Sequence, residues 1–150
     1  MKKLSLLIVA MVVTFSAAFA QIHNPVKWEV AQKKLNNKEG VVFIKATIQN
    51  GWNIYSQNVP DGGQIPTSFA FKSSKDLTLN GNTAEPKAQT KYEEVFQMNV
   101  PYFTREVVFQ QRVKLNGNKP TTVSGTVEWQ ACDANQCLPP DEYNFTVTIK

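Results

Sequence analysis

The feature that most constrains the fold of this chain is an alternation of apolar and polar side chains with a period of two. Residues 42–48 and 143–149 carry an apolar side chain at every second position, and residues 26–30, 107–113 and 123–129 repeat the pattern. Such alternation is typical of β-strands that bury one face, whereas an amphipathic helix repeats every 3.6 residues. The chain is therefore predicted to be built from strands.

Turn-forming dipeptides separate these segments. Glycine after Asn or Asp accepts the positive φ that tight turns require. Such pairs occur at Asn50-Gly51, Asp61-Gly62, Asn80-Gly81 and Asn116-Gly117. Short alternating strands joined by tight turns predict an all-β fold, an antiparallel β-sandwich of immunoglobulin type with seven to nine strands. No repeat, linker or low-complexity run divides residues 21–150, so we expect one domain there.

The first twenty residues have the layout of a secretory signal peptide. Lys2 and Lys3 precede an apolar stretch from Leu4 to about Ala17, and small residues at the end of the segment predict cleavage after Ala20. The apolar stretch is short for a membrane span, and no later apolar stretch is long enough for one. We therefore expect no membrane insertion once residues 1–20 are removed.

Export sets the expected compartment. Position 21 is Gln, so no cysteine follows the cleavage site to carry a lipid, and we expect a periplasmic protein in an oxidising environment. Removing Lys2 and Lys3 leaves 14 basic against 12 acidic residues, a formal charge of +2. This small excess gives little support for a nucleic-acid partner, and none is predicted.

Residues 80–100 show no clear alternation. Tyr92, Val95 and Phe96 fall at helix-like spacing beside Glu93 and Glu94, which fits a single helical turn or an ordered loop. Long irregular connections in compact domains are commonly functional or disordered, and the apolar residues argue against disorder. The simpler interpretation is a loop that packs two aromatic side chains against the edge of the core.

The candidate reactive residues are the two cysteines of the chain. Cys132 and Cys137 bracket four residues between a strand ending near Ala131 and another starting near Tyr143. Residues that flank a four-residue hairpin loop face each other, and a non-hydrogen-bonded pair comes close enough for a disulfide. Closing so small a ring removes only about 2 kcal/mol of unfolded-state entropy. A disulfide between these two cysteines would therefore add little to the stability of the fold.

Two other interpretations of the cysteines compete with a redox role. Exported sandwiches often carry a hairpin disulfide that is only structural, and the spacing here is C-x4-C, not the C-x-x-C of thioredoxin-like proteins. A zinc site is disfavoured because two thiols and the distant His23 fall short of four ligands. We expect His23 to lie exposed in the terminal tail, and no metal or other cofactor is predicted.

The segment VEWQACDANQCLPP, from Val127 to Pro140, closely resembles the active-site hairpin of the amino-terminal periplasmic domain of DsbD, the thiol:disulfide interchange protein. In that family a strand ends in Gln-x-Cys, and the second Cys precedes an apolar or aromatic residue, two prolines and an acidic residue. Residues 51–55, which include Trp52 and Tyr55, resemble a Gly-aromatic-x-Leu-Tyr strand near the family's active site. The resemblance extends over nearly all of residues 25–150.

Glu93, Glu94, Val95 and Phe96 fall where this family has an acidic pair followed by aromatics. There the segment is a cap loop that covers the cysteines and opens for a partner. The family's attacked cysteine is the second one, which implies that Cys137 is attacked and that Cys132 is its partner and resolver. Two features depart from the family pattern: the loop between the cysteines is one residue shorter, and Val95 replaces a usual aromatic.

The resemblance also implies a function. It indicates an immunoglobulin-like domain that takes electrons from a membrane-embedded reductant and passes them to exported oxidised proteins. The sequence contains no transmembrane or thioredoxin-like part of DsbD, so we expect a free-standing module. Its expected partners are a thioredoxin-like domain or a membrane reductant of DsbD type, and exported thiol-redox proteins.

Charges near the cysteines predict a sluggish dithiol. No Lys, Arg or His occurs from Thr121 through Ile149, whereas four acidic residues lie in that stretch, among them Asp133. Acidic neighbours disfavour the thiolate, which is the reactive form. A distant cation folding over the site would change this expectation, and the candidates are Lys87, Lys91 and Arg105.

One alternative belongs to another functional class. The chain could be a non-catalytic exported binding module in which the disulfide only pins the hairpin. The aromatics Trp52, Tyr55, Tyr92 and Phe96 would then bind a peptide or a glycan, provided that they lie at the surface. Burial of these side chains would argue against it.

Overall fold

The computed structural model describes residues 24–150, and within them the secondary structure is entirely β. Residues 1–20, for which a signal peptide is predicted, and also Gln21 and His23 lie outside the described residues. The strands are β1 (Val26–Asn36), β2 (Glu39–Ile48), β3 (Asn53–Tyr55), β4 (Ser68–Phe71), β5 (Leu77–Leu79), β6 (Gln89–Glu93), β7 (Met98–Phe103), β8 (Glu106–Leu115), β9 (Thr121–Trp129), β10 (Ala131–Cys132) and β11 (Asp141–Ile149). Across this part of the chain, no helix has the length and apolar character of a membrane span.

The strands form three antiparallel sheets with the orders β1-β2-β8-β5, β10-β3-β7-β6 and β11-β9-β4. All three sheets contribute buried side chains to one main hydrophobic core. Ile44 of β2, Phe109 of β8 and Ile54 of β3 are fully buried there, as is Val127 of β9. The immunoglobulin-like antiparallel sandwich expected from the sequence is confirmed.

The position of the core follows from the alternation of buried and exposed side chains along the strands. Every second residue of β8 from Val107 to Leu115 is buried, and the same holds for β9 from Thr121 to Trp129. Trp28 packs at the centre, with its ring centroid 5.1 Å from that of Trp129 and 6.2 Å from that of Phe109. Burying such rings removes large apolar areas from water, which is the main source of stability here.

The described strands number eleven, more than the seven to nine expected. The difference lies in three segments of two or three residues, β3, β5 and β10, which are too short to show an alternating pattern. Of the four turn glycines, Gly51, Gly62 and Gly81 have positive φ as expected, whereas Gly117 lies in a bend without it.

The sheet β10-β3-β7-β6 has two buried faces. Ile54, Phe103 and Ala131 point into the main core. The alternate residues Tyr55 and Cys132 belong instead to a second, smaller cluster with Val100 and partly buried neighbours. Successive side chains of a strand point to opposite faces. The side chain of Cys132 therefore points into this second cluster, away from the main core.

The connection between β5 and β6 is ordered by contacts at three points. Ala84 pairs with Gln110 through two backbone hydrogen bonds of 2.8 and 2.9 Å. The buried Gln111 side chain accepts a hydrogen bond from Thr83 Oγ1 at 2.8 Å. The Glu85 carboxylate accepts hydrogen bonds from the Ser56 hydroxyl, the Gln57 amide and the Asn58 side chain. The Glu85 contacts tie the connection before β6 to the segment that follows β3.

Candidate functional site

A two-residue strand and a tight turn present the cysteines. Ala131–Cys132 (β10) pairs with β3, and the chain then reverses so that Cys132 and Cys137 lie opposite each other. Leu138 N donates to Ala131 O and Asp133 N to Gln136 O, both at 2.9 Å. The cysteines therefore form the non-hydrogen-bonded pair between these bonds, the closer of the two antiparallel pairings. Their Cα atoms are 4.0 Å apart and they are joined by a disulfide.

Asp133 closes the turn without a glycine. Its Oδ1 accepts hydrogen bonds from the backbone amides of Asn135 at 2.7 Å and Gln136 at 2.8 Å. An aspartate side chain that bonds to amides two and three residues ahead replaces the backbone bonds of a turn. The carboxylate beside the cysteines thus has a structural role in the loop.

Gln130 holds the hairpin to the body of the sandwich. Its Nε2 donates to Leu138 O at 3.1 Å, and its Oε1 accepts from Ile65 N at 3.4 Å. The side chain thereby ties the segment after Cys137 to the loop before β4. This contact gives a structural reason for the glutamine in the Gln-x-Cys motif.

The two sulfur-bearing residues differ sharply in exposure. Cys132 is 2% exposed and packs with Tyr55 and Val100, whereas Cys137 is exposed. A protein thiolate must reach one sulfur of a disulfide to exchange with it. Cys137 is the accessible member of the pair.

The hairpin forms one wall of a cleft with a volume of about 490 Å³. The opposite wall is the end of the β6–β7 hairpin. Six of the eight site residues expected from the sequence line this cleft, namely Tyr55, Glu93, Val95, Phe96, Cys132 and Cys137. Gln64, Lys91 and the turn residues 133–136 complete the lining. Most of the site residues expected from the sequence are thus brought together around one cavity.

Residues 94–97 form a turn with some helical character. Phe96 N donates to Glu93 O and Gln97 N to Glu94 O, both at 3.2 Å, and Gln97 closes the turn with a φ of 53°. Val95 is 86% exposed at its tip and Phe96 is half-buried. The flanking segments are strands, which the sequence pattern did not predict. The region is a β-hairpin with a helix-like tip.

Two of the expected residues stand apart from the cleft lining. Trp52 is buried in the main core, and Glu94 lies exposed in the turn. Burial of Trp52 and Tyr55, at 6% and 1% exposure, also removes half of the aromatic surface that a peptide- or glycan-binding module would need. Tyr92 is the exposed aromatic of that group.

A cation does fold over the site. Lys91 lines the cleft and forms an ion pair with Glu93, with 2.6 Å between Nζ and Oε1. The local sequence around the cysteines contains no basic residue, so only the pairing of β6 with β7 and of β7 with β3 brings this lysine close. Of the three cations considered from the sequence, Lys91 is the one that lines the cleft.

Tyr55 contributes a neutral hydroxyl to the same wall. Burial raises the pKa of its phenol above the ordinary value of 10.0, against the opposing influence of Asn53 and Lys91. At neutral pH the group therefore carries no charge. The charged side chains of the described cleft walls are Lys91, Glu93 and Asp133.

The described residues contain no cluster of three or more His, Cys, Asp or Glu side chains arranged to hold a metal ion. The cleft does contain the disulfide between Cys132 and Cys137. A disulfide with one accessible sulfur can undergo thiol exchange without a cofactor.

Comparison with known proteins gives a family and a fold. The family model described as "Thiol:disulfide interchange protein DsbD, N-terminal" matches residues 24–149. A search of curated protein sequences found no match. Three solved structures with the same fold are informative, although their sequences are less than a fifth identical to this chain.

The reduced DsbD N-terminal domain of Neisseria meningitidis is 17% identical, with a TM-score of 0.51 over 79% of this chain and 83% of that one. The same organism's DsbD N-terminal domain in complex with the PilB N-terminal domain is 16% identical, with a TM-score of 0.55 over 84% and 87%. The N-terminal periplasmic domain of ScsB from Proteus mirabilis is 14% identical, with a TM-score of 0.60 over 83% of this chain and 47% of that one.

Proposed function

Because this chain belongs to the family of DsbD N-terminal domains, we propose that it is a periplasmic thiol:disulfide exchange protein that relays electrons through Cys132 and Cys137. The electrons come from a membrane-linked reductant and go to exported oxidised proteins. The observation that carries the proposal is the disulfide itself, which has one exposed and one buried cysteine at the wall of a cleft.

The exchange balances as two consecutive displacements. A partner thiolate attacks Cys137 Sγ, the Cys132–Cys137 bond breaks, and Cys132 Sγ leaves with the electron pair. The partner's second thiolate then attacks the mixed disulfide and releases Cys137 as a thiolate. The partner ends oxidised, and this protein ends as a dithiol that can reduce another disulfide by the reverse sequence.

The proposed partners share one requirement, which is a thiol or disulfide that can enter the cleft. A structural neighbour shows a DsbD N-terminal domain bound to a PilB N-terminal domain, which supports a protein partner docking on this fold. For this chain we expect a thioredoxin-like domain or a membrane reductant of DsbD type, and exported thiol-redox proteins. The signal-peptide layout of residues 1–20 supports the periplasm as the compartment in which this protein and its partners interact.

The reduction potential of the pair tests the function directly. We expect equilibration of the oxidised protein with redox buffers to give a potential between about −120 and −270 mV, the range of thiol-exchange proteins. The reduced fraction is measured by alkylating the free thiols and determining the mass of the protein by mass spectrometry. A potential below about −300 mV would instead indicate a structural bridge.

Within this function we propose that residues 93–96 act as a movable cap, with Phe96 as the side chain that shields the cysteines. Phe96 is half-buried and lines the cleft with both cysteines, whereas Val95 projects into solvent. An electron carrier in an oxidising compartment must protect its dithiol from small oxidants yet admit a large partner. An apolar lid that moves meets both demands.

Removing the Phe96 ring should expose the dithiol. Contact between an aromatic ring and sulfur is worth roughly 0.3 to 1.5 kcal/mol, so Phe96→Ala should speed alkylation of the reduced protein by about 2- to 10-fold. Its free energy of unfolding should fall only by about 0.5 to 3 kcal/mol. Tyr92→Ala on the same hairpin removes an exposed ring outside the cleft lining, so it is the matched control and should leave the rate unchanged. An unchanged rate in folded Phe96→Ala would assign that ring to ordinary packing.

A further inference from the structure

Lys91 is held in place by side chains from two neighbouring strands. Its Nζ lies 3.4 Å from Asn53 Oδ1, 5.6 Å from the centre of the Tyr55 ring and 5.2 Å from that of Tyr102. An ammonium group near two aromatic rings is attracted by their electron-rich faces. The lysine is therefore positioned by the sheet and does not sweep freely through solvent.

Asn53 connects this lysine to the buried cysteine. Asn53 of β3 is the direct cross-strand partner of Cys132 in β10, and both residues are buried. Side chains of directly paired residues point to the same face of the sheet, with Cβ atoms about 4.5 to 5.5 Å apart. Because Lys91 donates to the Asn53 amide oxygen, its positive charge lies beside the cross-strand partner of Cys132.

Cys132 is the sulfur that most needs a counter-charge. Attack on Cys137 converts Cys132 into a thiolate, and burial in apolar surroundings raises the pKa of a thiol. Cys132 is 2% exposed. Glu93 and Asp133 add negative charge to the cleft walls, and Lys91 is the cation of those walls in the described part of the chain.

We propose that Lys91 is the counter-charge of the Cys132 thiolate, an inference that rests on the exchange function proposed above. When a partner reduces this protein, Lys91 stabilises Cys132 as it leaves. When this protein reduces a partner, Lys91 keeps Cys132 ionised so that it can resolve the mixed disulfide. While the disulfide is intact and uncharged, the ion pair with Glu93 balances the lysine.

Titration of the isolated Cys132 thiol tests this role. The background variant is Cys137→Ser, whose single thiol is followed by the ultraviolet absorbance of the thiolate as pH is raised. The variant lacking both cysteines supplies the tyrosine background. Adding Lys91→Met preserves the length of the side chain but removes its charge, and it should raise the midpoint by about one pH unit, the lower end of the effect of a nearby opposite charge.

Control variants separate charge from packing. The other ionisable groups facing Lys91 or the cleft are Tyr55, Tyr102, Glu93 and Asp133, and none is altered in any variant. Lys91→Arg keeps the charge and should restore the parental midpoint. Lys87→Met removes an exposed charge outside the cleft lining and should leave it unchanged. Lys91→Gln replaces Lys91→Met if the latter does not fold.

An unshifted midpoint in folded Lys91→Met or Lys91→Gln would overturn the role of Lys91. The titration needs no redox partner, so its outcome is independent of the proposed function. Failure of the parent protein to exchange with a thioredoxin-like domain would contradict that function, whereas an unshifted midpoint in an exchange-competent protein would overturn the lysine's role alone.

Discussion

Replacing both cysteines with alanine is expected to abolish thiol exchange and to leave the sandwich folded. The six-residue ring contributes only about 2 kcal/mol through unfolded-state entropy, which is a minor part of the 5 to 15 kcal/mol typical of a domain. The main core, drawn from all three sheets, contains neither cysteine. The double variant Cys132→Ala, Cys137→Ala should therefore show a lower denaturant midpoint but an unchanged native circular dichroism spectrum.

Reduced parent protein is the matched control for this experiment. It lacks the covalent link but keeps both sulfur atoms, so its unfolding curve isolates the effect of the ring from the packing of Cys132 against Tyr55 and Val100. Exchange is measured as the rate at which each protein reduces a disulfide substrate. A double variant that is unfolded at room temperature would show that the bridge is structural.

The second large effect is an asymmetry in covalent trapping. With Cys132→Ser, the exposed Cys137 should attack a partner disulfide and remain in the mixed disulfide, because the resolving thiol is gone. With Cys137→Ser, the remaining thiol is the buried Cys132. We expect the first variant to form the adduct at least about ten times faster, which corresponds to a difference of about 1.4 kcal/mol between the barriers.

The trapping partner is a thioredoxin-like domain with one cysteine, activated as a mixed disulfide with thionitrobenzoate. Attack by the variant's thiolate joins the two proteins and releases the coloured thiol, so the rate is followed by absorbance and the adduct by a non-reducing gel. In denaturant the two variants should react at similar rates, because burial is then lost. Equal trapping by the folded variants would refute the assignment of Cys137 as the attacked sulfur, although not the redox function.

The sequence predicts the strands that have one covered face and one wet face. In β2 and β8 this difference produces the period-two pattern directly. The period-two pattern is absent from β3, where Asn53, Ile54 and Tyr55 are all buried because both faces of that sheet are covered. It is absent again from β6, an edge strand whose residues are exposed or half-buried, so no hydrophobic face marks it.

The candidate site likewise has one part that the sequence predicts and one part that it does not. The cysteine pairing follows from local hairpin geometry, since five positions separate Cys132 and Cys137 and nothing distant needs to be known. The contribution of Lys91 depends on two successive strand pairings, β6 with β7 and β7 with β3, that bring it to Asn53. Charges counted along the chain around the cysteines therefore predict a purely acidic surrounding, whereas the folded cleft contains a cation.

The sheet with two buried faces has a consequence for how such a protein can change over generations. Along β3 and β10, Ile54 and Ala131 serve the main core, whereas the intervening Asn53, Tyr55 and Cys132 serve the cleft. A substitution on the second set alters the surroundings of the sulfur atoms without changing a side chain of the main core, and at the fully buried Tyr55 its packing cost falls on the smaller cluster. The residues around the sulfur atoms can thus diverge while the main core is conserved, and a designer can vary one face of these strands without rebuilding the other.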